Sequence, residues 1–200
     1  MQSEYENMTS DQVLEVFKNT AALLEGHFVL SSGLHSSIYL QCAIALQSPA
    51  VASSFGAAIA DQYRDARIET VASPAIGGLV IGYEVARQLG VRFIWTEREN
   101  GVMTLRRGFT VSPAEKVLVV EDVITTGGST RDTIQALTAA GAEVVGAASI
   151  IDRSGGAAEV GVPRISLVTL NVPALSTDVC EACRRGEPAV KPGSRKIFAH

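Results

Sequence analysis

Two hundred residues, 46% of them hydrophobic and 19% charged, are enough for one domain with a proper core. The formal charge of −4 at pH 7, without any run of Lys or Arg, argues against nucleic acid or an anionic membrane as the main partner, so affinity for phosphate has to be local. Met1–Ser10 is polar and acidic and lacks the marks of a secretory signal, no uncharged stretch reaches the roughly 20 apolar residues of a membrane span, and three cysteines make no disulfide scaffold; a cytosolic protein is expected.

In chain order, Thr9 and Gln12 have the spacing of a capping box, and Val13, Leu14, Phe17, Ala21 and Leu24 form an apolar stripe, which predicts a first helix. Phe28–Leu30 and Ile38–Gln41 read as extended pieces around a Ser/Gly turn. Ser48-Pro49 opens a second helix to about Tyr63, with Pro in the first turn, where its missing N–H is no loss. From Ile68 a strand, loop and helix rhythm sets in: strand Ile68–Ala72, loop Pro74–Gly78, helix Leu79–Leu89, then strand Val91–Thr96 and an irregular stretch to about Pro113. Strand Lys116–Glu121, helix Ser129–Ala140, and strands Val144–Ile151 and Ile165–Leu170 follow. This alternation predicts an α/β fold, a mostly parallel sheet flanked by helices on both faces, with ligands beyond the carboxyl ends of the strands, after Ala72, Thr96, Val120 and Ile151.

From Cys180 the chain reads as a short helix and an extended tail. Cys180-x-x-Cys183 has metal-like spacing, but zinc needs about four ligands, and Cys42 and His200 are the only other obvious soft candidates; helix packing is the simpler reading. His35 reads as structural or exposed, and His27 gives no reason for a role.

The most informative segment is Val117–Thr130. A buried strand ends in Glu121-Asp122, and Val123, Ile124, Thr125, Thr126, Gly127, Gly128 and Ser129 then lead into a helix. Backbone N–H groups of a Gly-rich turn and a helix N-terminus together form an anion site. Carboxylates beside a phosphate cradle repel the ligand unless sugar hydroxyls or a divalent cation lie between, and a ribose phosphate with magnesium meets both conditions. No Lys precedes Ser129, as a nucleotide P-loop would require, and no G-x-G-x-x-G follows a strand, so neither a nucleoside triphosphate nor a dinucleotide is indicated. The plainer reading is a helix-capping turn with two solvated edge charges.

This segment resembles the phosphoribosyl pyrophosphate (PRPP) motif of type I phosphoribosyltransferases, in wording closest to the orotate enzymes. Three further segments are similar to that family: Phe28–Leu40 to its N-terminal hood, Ser73–Gly78 to its second substrate loop, and Ile151-Asp152-Arg153 to the strand end carrying an orotate-binding arginine. The resemblance implies one domain over residues 1–200, with a hood at about 1–45 plus the C-terminal segment and a core at about 46–172. It implies transfer of ribose 5-phosphate from PRPP to orotate, with Glu121 and Asp122 as catalytic groups accepting the ribose hydroxyls. Thr125 to Ser129 would cradle the 5-phosphate, Val123 and Ile124 would complete the PRPP segment, and Thr125 and Arg153 would meet orotate. Magnesium would arrive with PRPP rather than on direct protein ligands. Arg98, in the Thr96–Phe109 stretch, corresponds to a pyrophosphate-binding loop residue that the family commonly shares across a homodimer, while Arg106 and Arg107 are weaker matches. The family's usual loop lysines and histidine are absent, and its lysines in the hood and second loop are replaced by Ser31 and Gly77. A purine phosphoribosyltransferase would share the phosphate loop but not need Arg153, and a non-catalytic PRPP-binding regulator would keep the fold without turnover.

Overall fold

The computed structural model describes residues 8–30 and 33–191. Ser31 and His200, both singled out above, lie outside the described residues.

The capping box forms as its spacing requires: the Gln12 N–H donates to Thr9 Oγ1 at 3.3 Å and the Thr9 N–H to Gln12 Oε1 at 2.8 Å, opening helix α1 (Ser10–Asn19). Val13 and Phe17 are fully buried, and Phe17 stacks on Phe55 at 5.8 Å between ring centroids. The stripe stops earlier than expected. Ala21 takes a left-handed φ of 56° after the helix, Ala22 is the buried residue, and Leu24 stands 40% exposed on the following strand. Strands β1 (Leu23–Val29) and β2 (His35–Leu40) pair antiparallel as a small separate sheet, the hood. The C-terminal segment returns to extend it, His35 bridging to Leu175 and Phe28 to Val190.

A short helix α2 (Cys42–Leu46), not foreseen in the sequence, and α3 (Pro49–Asp61) lead to the main sheet. It comprises β3 (Thr70–Pro74), β4 (Arg92–Glu99), β5 (Val102–Leu105), β6 (Lys116–Ile124), β7 (Glu143–Asp152) and β8 (Arg164–Thr169). Helix α4 (Leu79–Leu89) joins β3 to β4, and α5 (Gly128–Ala139) joins β6 to β7. The strand order is β5-β4-β3-β6-β7-β8, all neighbours parallel except the edge strand β5. The stretch expected to be irregular therefore contains a strand. Asn100 and Gly101, at φ 53° and 84°, turn β4 back into β5, because two consecutive left-handed residues match the twist of a tight hairpin.

Strand β6 shows why both faces need helices. Val117 and Val119 pack with Ile134 and Leu137 of α5, while Leu118 and Val120 pack on the opposite face with Phe55 and Ile59 of α3 and Ile81 and Val85 of α4. Each such side chain contributes roughly 1.5–3 kcal/mol on burial, so the centre of the sheet is its most strongly held part. Its amino edge is tied by Glu115, which accepts from Arg92 Nη2 at 2.8 Å, from the Ser112 N–H at 2.7 Å and from the Thr70 hydroxyl. The chain leaves β3 for β4 on one side and later enters β6 on the other, so a crevice opens between the carboxyl ends of β3 and β6. No helix among the described residues is long and apolar enough to cross a membrane.

Candidate active site

The acidic pair lies within β6 rather than at its end. The strand runs on to Ile124 because β7 continues beside it, pairing Val123 with Ile151 and Ile124 with Asp152. Strand alternation sends the two carboxyls apart. Glu121 turns toward the first turn of α5 and accepts a hydrogen bond from the Thr130 hydroxyl. Burial pushes its carboxyl up to about 7, the Thr130 bond opposing that rise and the neighbouring Asp122 charge adding to it. Asp122 turns toward the loop after β3, and burial raises it as well, against the pull of the Val123 and Asp122 backbone N–H groups. A Cβ at Gly77 would lie 2.6 Å from Asp122 Oδ1, so a larger residue in this loop would have to displace the Asp122 carboxyl.

Ile124 is a core residue, buried to 1% exposure; it offers the site only backbone, its C=O accepting from the Arg153 N–H at 2.8 Å. Thr125 and Thr126 are exposed. Gly127 has a left-handed φ of 74° and sits so close to Val160 that a Cβ would come within 2.9 Å of its Cγ1. Helix α5 starts at Gly128 with no side-chain cap, leaving its first N–H groups and the Ser129 hydroxyl for a ligand.

Arg153 follows β7. It is partly buried, its Nε has no hydrogen-bond partner among the described residues, and burial holds its guanidinium below the ordinary range. The adjacent Asp152 does not serve it. Fully buried, Asp152 accepts from Arg164 Nη1 at 2.8 Å, from the Ser154 N–H and hydroxyl at 2.7 and 2.6 Å, and from the Gly156 N–H at 3.1 Å. These bonds outweigh the effect of burial and keep its carboxyl below the ordinary range. Arg153 instead lines a cavity of about 560 Å³ together with Tyr39, Thr125, Thr126, Val172 and Lys191. A partly buried guanidinium whose Nε has no partner among the described residues, facing a mostly apolar cavity, is suited to a carboxylate or phosphate.

Residues 45–172 match the model of the phosphoribosyl transferase domain family. The orotate phosphoribosyltransferase of Pelotomaculum thermopropionicum is 50% identical over 190 residues, 95% of this chain and 100% of that protein. That of Caldicellulosiruptor bescii is 51% identical over 189 residues, 94% and 100% of the two chains. The chain belongs to the orotate phosphoribosyltransferase family. Among solved structures, the orotate phosphoribosyltransferase of Aeropyrum pernix superposes with a TM-score of 0.63 at 31% identity, covering 79% of this chain and 93% of that one.

Orotate phosphoribosyltransferase chemistry needs positive charge around pyrophosphate, and Arg98 was the residue expected to supply it. In the described chain Arg98 is held in the β4–β5 hairpin, Nη2 on Asp132 Oδ2 at 2.7 Å and Nη1 on the Gly101 C=O at 2.9 Å, and it is not among the residues lining the cavity. Arg106 and Arg107 both pair with Glu97, at 3.3 and 2.9 Å, and the Arg107 hydrogen bond holds the Glu97 carboxyl below its ordinary range. Phe109 meets Trp95 edge-on at 4.6 Å and anchors the return of the hairpin. Lys191 and Thr130 are site residues that sequence reasoning missed. Thr130 had a readable signal, a hydroxyl in the first turn behind the Gly pair; Lys191 had none, because only the fold brings it back to the hood.

Proposed function

We propose that this chain transfers the phosphoribosyl group of PRPP to orotate at the cavity between Arg153 and the β6–α5 loop, giving orotidine 5-monophosphate and pyrophosphate. The base nitrogen forms its bond to ribose C1 as the C1–pyrophosphate bond breaks, through a transition state with positive charge on the ribose ring. In this reading the exposed N–H groups of α5 with Thr125, Thr126 and Ser129 hold the 5-phosphate, and Glu121 and Asp122 accept the ribose hydroxyls. Bound sugar donors then favour the ionised carboxylates that burial disfavours, and this negative charge supports the cationic ring. Two oxygen-donor carboxyls beside a phosphate cradle suit magnesium held through the substrate, whose contribution when bound is to neutralise the departing pyrophosphate.

The observation that carries the choice of acceptor is Arg153, a partly buried guanidinium with an unpartnered Nε that lines the cavity with Thr125 and Thr126 of the phosphate loop. Adenine has no anionic group to satisfy it, whereas orotate brings a carboxylate. Exposed Ile76, Val80 and Tyr83, at the loop and along one face of α4, support assembly with a second copy, so that the Arg98 hairpin serves a neighbouring cleft. The test is ultraviolet absorbance with magnesium and PRPP, following orotate and then adenine. Orotate is expected to be consumed, and Arg153→Ala to raise the KM for orotate roughly 100-fold, as expected for loss of a charge-assisted pair, while the KM for PRPP moves only a few-fold. Consumption of adenine with orotate untouched would overturn the assignment.

A further inference from the structure

Away from the cavity, four soft donors from three separate parts of the chain converge. His27 comes from β1, His35 from β2, and Cys180 and Cys183 from the start of the short helix α6 (Glu181–Arg184). One donor atom of each lies within 4.8 Å of all the others. His27 Nε2 is 3.5 Å from both Cys180 Sγ and Cys183 Sγ, His35 Nδ1 is 3.2 Å from Cys183 Sγ, and the two ring nitrogens are 2.6 Å apart. His27, His35 and Cys180 are buried. The sequence offered Cys42 and His200 as soft candidates beside the Cys pair; the fold places His27 and His35 there, and Cys42 lies elsewhere, its Sγ 4.0 Å from the Asp122 C=O.

We propose that His27, His35, Cys180 and Cys183 form a structural zinc site that clamps the C-terminal segment to the hood. A tetrahedral ion with Zn–N of about 2.0–2.1 Å and Zn–S of about 2.3 Å sets its ligand atoms roughly 3.3–3.8 Å apart. The three sulfur–nitrogen separations already fall at or close to that range, and a modest tilt of the two imidazoles brings the nitrogens to it. The outer partner is also in place. His27 Nδ1 lies 2.9 Å from the Glu187 C=O and donates to it, which fixes the tautomer and leaves the Nε2 lone pair directed into the cluster. On binding, the two thiols release their protons to solvent, and two thiolates neutralise the dication, so the closed site carries no net charge. Two sulfurs and two nitrogens in a four-donor set, three of whose residues are buried, select zinc over magnesium or calcium.

The fold shows what such a site would hold. Helix α6 is a single turn, too short to be stable alone, and the segment around it meets the hood through two isolated bridges and the His27–Glu187 hydrogen bond. The metal would join β1, β2 and α6 at one point.

The experiment uses the full chain expressed in zinc-supplemented medium. Elemental analysis of the purified protein is expected to give about one zinc per chain, falling to background in the Cys180→Ser/Cys183→Ser variant. Chelator-stripped wild type is expected to take up cobalt with the visible absorption of a tetrahedral thiolate site. Returning zinc should raise its thermal midpoint by roughly 10 °C when zinc is about 1,000-fold above its Kd. Cys183→Ser, at a partly exposed position that spares the buried core, should fold but gain nothing from zinc. A wild-type chain that carries no zinc and whose cobalt spectrum and thermal midpoint ignore added metal would overturn the proposal. So would a metal-free chain two hydrogens lighter than its sequence, which would mark Cys180–Cys183 as a disulfide.

Discussion

Replacing Glu121 with Gln isolates the stability that the ligand-free site gives up. The Glu121 carboxyl rises from its ordinary 4.5 to about 7 because β6 and α5 bury it, with Thr130 donating and Asp122 repelling. The folded chain therefore holds a proton that the unfolded chain releases. Stability from this group is fully present below pH 4.5, declines as pH rises, and is lost once pH passes about 7. A tenfold change in proton affinity is worth about 1.4 kcal/mol, so the penalty at pH 8 is on the order of 3 kcal/mol. Gln keeps the shape and the Thr130 contact without the charge. Urea denaturation of ligand-free protein between pH 5 and pH 8.5 should show wild type losing about that much relative to the variant, and the variant should be the more stable of the two at pH 8. The same variant should bind PRPP poorly, because ribose hydroxyls donate better to a carboxylate. Parallel pH profiles, or a variant less stable than wild type at pH 8, would refute the argument that burial controls this carboxyl.

Two further outcomes follow from neighbouring contacts. Asp152→Ala leaves the largely buried Arg164 without its anion and frees the Ser154 turn, so it should cost about 3 kcal/mol in urea unfolding. Asp152→Asn, which keeps some of the acceptors, should cost less. Gly127→Ala places a Cβ at a left-handed φ and against Val160, which should cost roughly 1–2 kcal/mol from the backbone alone. It should also weaken inorganic phosphate binding by calorimetry more than it weakens orotate binding; equal losses would show that the loop does not hold the phosphate.

The sequence made the parallel core legible because its signals are local. The Thr9/Gln12 box and the Leu79–Leu89 helix come out with the expected bounds, and Val117–Val120 declares a strand buried on both faces. What it missed depended on partners. The extension of β6 past Glu121 exists because β7 runs on to Asp152, and no pattern within β6 encodes that. Strand β5 was readable, since Asn100-Gly101 is a strong hairpin signal between two extended runs. In the candidate site, Arg153 and the β6–α5 loop were legible as strand-end positions, and the fold brings Arg153, Thr125 and Thr126 to one cavity. The His27–His35–Cys180–Cys183 cluster was not, because 153 residues separate His27 from Cys180 and the return of the C-terminal segment joins them.

That return also sets an order of events during synthesis. The cavity wall includes Val172 and Lys191, and β1 completes its hydrogen bonds with Val190. The parallel core from β3 to β8 can close on itself as it leaves the ribosome, whereas β1 and β2 of the hood, made before it, wait for residues made after it. A product that stops before Val190 would carry the β6–α5 loop but lack part of the cavity wall, so under the proposed function the grip on the donor's phosphate would form before the pocket for the acceptor closes.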